Sequence, residues 1–149
     1  MLNWLKQNTA DARAKMSAEV SKFKNRTFME AVVSGCALVA AADGSIDSSE
    51  KQKMAGFLER SEELKHFDMR QVIEVFQRVA GDFEFDDAIG KATALRTIGK
   101  VRGNPEQARL LVRIVCAIGA ADGEFDAQER TVVSEIAREL DLDPTEFDL

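Results

Sequence analysis

Two stretches of this chain place carboxylates at a spacing that suits cation chemistry. Asp43-Gly44-Ser45-Ile46-Asp47-Ser48-Ser49-Glu50 and Asp122-Gly123-Glu124-Phe125-Asp126-Ala127-Gln128-Glu129 share the pattern Asp-Gly-x-(Ile/Phe)-Asp-x-x-Glu, 79 positions apart throughout. Gly after Asp permits a left-handed backbone where one helix ends. The second Asp and the Glu then flank the first turn of the next helix. Three carboxylates crowd around each link, and such hard oxygen donors suit Ca²⁺ first and Mg²⁺ second, ahead of zinc or copper. Asp43, Asp47, Glu50, Asp122, Asp126 and Glu129 are therefore the candidate metal ligands, and a divalent cation is the candidate cofactor.

The pattern reproduces only the second half of an EF-hand loop, from its fifth position to its twelfth. Val39 and Ala41, and Ile118 and Ala120, stand where the first two acidic ligands would be. A self-sufficient EF-hand is ruled out, so a site needs ligands from both copies or from elsewhere. Asp82, Glu84, Asp86 and Asp87 form a further acidic cluster that could contribute.

A purely structural account competes. Asp47 with Glu50, and Asp126 with Glu129, are spaced as capping boxes, in which the Asp accepts from the third helical amide and the Glu reaches back. Carboxylates also favour helix N-termini through the macrodipole. What capping leaves over is the first Asp of each copy, placed near a helix C-terminus where a carboxylate opposes the dipole.

The same cap logic sets out the elements that must position these residues. Thr27/Glu30, Asp68/Gln71, Asn104/Gln107 and Asp143/Glu146 add further candidate boxes, with Pro105 and Pro144 at first helical positions. Apolar periodicity then predicts helices over about 3–23, 28–42, 48–59, 69–80, 87–101, 105–121 and 127–140, with short turns near 62–66 and after Asp143. The fold class is all-α, a bundle of about seven helices. The duplicated motif predicts that it is built from two pseudo-twofold-related helical hairpins, residues 28–59 superposing on 107–138. Phe83-Glu84-Phe85 alternates but is too short to carry a sheet.

Composition narrows the function classes. Residues 1–26 carry six basic and two acidic side chains, which leaves −10 of the overall −6 on residues 27–149. The chain divides accordingly into a basic N-terminal helix, 1–26, and an acidic helical domain, 27–149. The acidic body argues against nucleic-acid binding. No apolar run reaches membrane-spanning length and no secretory h-region opens the chain, so a cytoplasmic protein without stable membrane insertion is expected. The basic segment either touches an anionic surface or partner, or docks on the acidic body. Cys36 and Cys116 sit among small apolar residues and read as buried core thiols. With His66 as the only histidine and no Gly-rich phosphate loop, no catalytic constellation is visible and no enzyme activity is expected.

The stretches Glu50-Lys51-Gln52-Lys53-Met54, Gly56-Phe57-Leu58, Ser61-Glu62-Glu63-Leu64-Lys65, Phe85-Asp86 with Ile89-Gly90-Lys91, the second Asp-Gly motif, and Asp143-Pro144 with Glu146-Phe147 resemble the tellurite-resistance TerB family. The resemblance runs from about Lys22 to Leu149. It implies paired helical hairpins, no catalysis, and metal binding through acidic residues, with the six carboxylates above as the matching positions. It also implies a role in the tellurite-resistance and stress response alongside other Ter proteins, including an integral membrane partner, at the inner face of the cell membrane. The alternative is a metal-independent acidic module that recognises a basic partner.

Overall fold

The computed structural model describes residues 9–42, 46–120 and 125–149. Among them are seven α-helices and two 3₁₀ turns, and no strand. The helices are α1 Thr9–Val20, α2 Arg26–Ala40, α3 Ser48–Arg60, α4 Met69–Phe85, α5 Asp87–Gly99, α6 Pro105–Gly119 and α7 Ala127–Glu139. The 3₁₀ turns are Leu64–His66 and Pro144–Phe147. The all-α fold expected from the cap and periodicity pattern is what is observed.

Two helices form the centre. In α2, every residue from Ala31 to Val39 is buried, and in α6 every residue from Ile114 to Gly119. A helix apolar on nearly all sides must be covered on nearly all sides, and α2 packs against α3, α4, α5, α6 and α7. Gly35 makes the close crossing of the two central helices feasible: a Cβ there would stand 2.7 Å from Val115 Cγ2. Phe28, Phe76 and Phe147 are fully buried around them, each contributing about 1.5–3 kcal/mol of transfer free energy.

The repeat is kept in the elements. Helices α2 and α6 begin and end 79 positions apart, and so do α3 and α7. Ala41 and Ala120 close α2 and α6 with the same backbone, φ −92°, ψ 8° and φ −90°, ψ 5°. Asp47 and Asp126 open α3 and α7 in the same extended conformation.

Caps account for most helix starts. Asp47, Asp68, Asn104, Asp126 and Asp143 are N-caps as expected, with Asp126 and Glu129 forming the full box. Asp68 and Asp143 accept from the amides of Arg70 and Thr145, two residues on, rather than from Gln71 and Glu146. Helix α2 differs: its cap is Asn25, whose Oδ1 accepts from the Phe28 amide at 2.8 Å, and Thr27 lies inside the first turn. Helix α4 runs on to Phe85, past Ala80-Gly81-Asp82, because Phe83 continues the buried face of Val72, Val75, Phe76, Val79 and Ala80. At the other end of the chain, α7 stops in a Schellman motif. Asp141 adopts φ 59°, and the Asp141 and Leu142 amides donate to Arg138 and Ala137 carbonyls at 3.0 and 2.8 Å.

Helix α1 docks on the body through buried Met16 and Val20. Ser17 Oγ donates to the Glu62 carbonyl at 3.3 Å and lies 2.9 Å from His66 Nε2, which ties α1 to the first 3₁₀ turn. The beginning of the basic segment, residues 1–8, lies outside the described residues.

Candidate functional site

The described end of each acidic link, 46–47 and 125–126, is held from the helix that follows it. Asp47 Oδ1 accepts the Glu50 amide at 2.8 Å. Asp126 Oδ1 accepts the Glu129 amide at 2.8 Å, and Glu129 Oε1 accepts the Asp126 amide at 3.2 Å, which completes a reciprocal capping box. Ile46 and Phe125, one residue before each cap, are buried and anchor the end of the link in the core.

The fold brings parts of the two links together. A cleft of about 300 Å³ is lined by Glu50, Lys53, Met54 and Phe57 of α3, by Val39 and Ala40 of α2, by Ile118 and Gly119 of α6, and by Asp126 and Glu129 at the start of α7. Three of the six candidate ligands, Glu50, Asp126 and Glu129, thus share one cavity, one from the first copy and two from the second. Asp47 is exposed at its cap and does not line the cleft. Asp43 and Asp122 lie outside the described residues. Among the described residues, no group of three or more Asp, Glu, His or Cys side chains is close enough to hold a metal ion.

The acidic cluster at 82–87 stands elsewhere. Asp86 Oδ1 accepts the Ile89 amide and caps α5, Glu84 pairs with Lys51, and none of the four carboxylates lines the cleft.

Sequence reasoning missed Lys53, which brings a positive charge into the same cleft. The signal was present: Lys53 lies three residues after Glu50 on one helix, on the same face. Its ammonium sits 5.9 Å from the centroid of the Phe57 ring.

Both thiols are buried. Burial pushes Cys36 up to about 12, with the Glu63 charge adding to it, and burial alone pushes Cys116 up to about 12. A thiol so displaced carries almost no nucleophilic thiolate at neutral pH. No helix among the described residues is long and apolar enough to cross a membrane.

Residues 29–149 match the family model described as tellurite resistance protein TerB. Over 102 residues the chain is 42% identical to the tellurium resistance protein TerB of Alcaligenes sp, covering 68% of this chain and 84% of that one. No solved structure matches the chain.

Proposed function

The chain belongs to the TerB family of tellurite-resistance proteins, and from there we propose that it acts as a non-catalytic, cation-binding accessory component of that system. The observation that supports this is the cleft shared by the two acidic links, with Glu50 on one side and Asp126 and Glu129 on the other. Its donors are of the type Ca²⁺ or Mg²⁺ takes. Asp126 commits Oδ1 to its cap and keeps Oδ2, and a carboxylate oxygen has lone pairs beyond the one an amide uses. Asp43 and Asp122, at the opposite ends of the same links in sequence, are the residues that would complete the donor set. A bound cation would offset the mutual repulsion of these carboxylates and the unfavourable placement of Asp43 and Asp122 after α2 and α6.

The expected partners are other tellurite-resistance proteins, an integral membrane protein among them, met from the cytoplasmic side. The family supports this, as does the basic character of residues 1–26 against an acidic remainder. The buried, protonated thiols of Cys36 and Cys116 are poorly placed to reduce an oxyanion, which supports a binding role over an enzymatic one.

Calorimetric titration with Ca²⁺, Mg²⁺ and Mn²⁺ tests the reading. Binding should be seen, and the melting temperature should rise with Ca²⁺ in proportion to RT ln(1 + [L]/Kd). Asp43→Asn with Asp122→Asn should remove that dependence, since neither residue is an N-cap. No binding of any of the three ions by the wild-type chain would leave the metal-independent acidic module as the function, with the caps explaining Asp47 and Asp126.

A further inference from the structure

The corner between α4 and α5 combines exposed apolar side chains with a dense set of carboxylates, of which capping accounts for Asp86 alone. Phe85, 81% exposed, and Ile89, 48% exposed, are the exposed large apolar side chains among the described residues, and they stand four positions apart. Residues 84–89 are all exposed. Residues 82–89 hold four carboxylates, Asp82, Glu84, Asp86 and Asp87, and no basic side chain; Lys51 of α3 pairs with Glu84.

This corner is tightly built. Asp86 is the whole connection, serving as C-cap of α4 and N-cap of α5. Behind it, Gly90 lies so close to α4 that a Cβ would stand 2.7 Å from Phe83 Cα. Phe85 and Ile89 are therefore held out on helix ends rather than on a loose loop. A second cleft, of about 340 Å³, opens at the same corner: Phe83 and Asp87 line it together with Leu38 and Val132, and the Lys91–Glu135 ion pair at 2.8 Å borders it.

We propose that this corner is a docking surface for a basic amphipathic helix of a partner protein. Phe85 and Ile89 would meet the apolar stripe of that helix, the adjoining cleft would receive one of its apolar side chains, and its lysines or arginines would reach Glu84, Asp86 and Asp87. An exposed aromatic ringed by charge has the anatomy of an interface hot spot, and a helix laid in a groove is a recurring mode of recognition. Charge selects the occupant. A second copy docking face to face would set one carboxylate cluster against another, and an anionic lipid surface would be repelled in the same way. The inference is independent of the cation reading, because none of its residues lines the first cleft.

The test uses the full ¹⁵N-labelled chain and a synthetic amphipathic helix of Leu and Lys as probe, at about 0.15 M salt so that diffuse surface attraction is screened. Saturable amide shifts are expected at residues 82–91 and along the α7 side of the second cleft. Phe85→Ser with Ile89→Ser, both at exposed positions, should weaken the Kd by about tenfold, while the rest of the amide spectrum stays in place. Replacing the probe's leucines by serine at unchanged charge should weaken it to a similar degree. Shifts centred elsewhere on the acidic surface, or wild-type affinity in the double variant, would overturn the proposal. So would a wild-type dimer in sedimentation equilibrium that the double variant abolishes, or anionic-vesicle binding that depends on Phe85.

Discussion

Asp126 and Asp47 each give one carboxylate oxygen to a backbone amide at 2.8 Å. The capping role can therefore be separated from any cation role by substitution. Asp126→Ala should cost about 1 kcal/mol in urea unfolding without any added metal, and Asp126→Asn much less, because Asn also caps well. Lys53 belongs to the same scale. The residue lines the cleft with Glu50, Asp126 and Glu129, and its charge opposes an added cation there. Lys53→Gln should tighten Ca²⁺ binding by about fivefold, the effect of one unit charge on a dication about 8 Å away in water; calorimetry at fixed ionic strength reads it. These residues were unequally legible in the sequence. The repeat located Glu50, Asp126 and Glu129, since equal spacing in two copies gave each acidic group an equivalent place. Lys53 escaped because charges were sorted by sign along the chain, and a lysine on a helix face looks solvated until the opposite wall of the cleft is known.

At the scale of elements, the caps carried the reading furthest. A side-chain oxygen two or three residues before its amide is a local device, so Asp47, Asp68, Asn104, Asp126 and Asp143 could be placed from the sequence alone. Thr27 failed as a cap because Asn25, two residues earlier, took the amide of Phe28. The end of α4 failed for a different reason. Gly81 reads locally as a stop, while the burial of Phe83 against Gly90 of α5, a packing contact that helix propensity does not register, carries the helix on to Phe85. Gly90 then becomes the residue on which the corner turns. Gly90→Ala would push a methyl group to within 2.7 Å of the α4 backbone, and overpacking of this kind costs about 1–3 kcal/mol. Thermal unfolding should show the loss in spite of the higher helix propensity of alanine. A neutral or stabilising effect would mean that α4 and α5 can part at little cost, which the single-residue connection through Asp86 argues against.

For the whole molecule, the two thiols set a limit at alkaline pH. Both are pushed up to about 12 in the folded state, while an unfolded cysteine loses its proton near about 8.5. A group whose folded pKa is raised contributes its stability in full below the unfolded value and loses it as pH rises towards the folded one. Unfolding free energy should fall between about pH 8.5 and 12, by about 1.4 kcal/mol per pH unit for each thiol. Cys36→Ala with Cys116→Ala should flatten that slope, whatever it costs in packing at neutral pH; denaturant melts at several pH values would show it. The burial of these two sulfurs has one more consequence. One sits in each central helix, both out of reach of solvent, so a thiol-specific dye can label the native protein only when a central helix is transiently uncovered. The labelling rate then acts as a clock for internal breathing, and comparing single-cysteine variants would reveal whether α2 and α6 open together or one at a time.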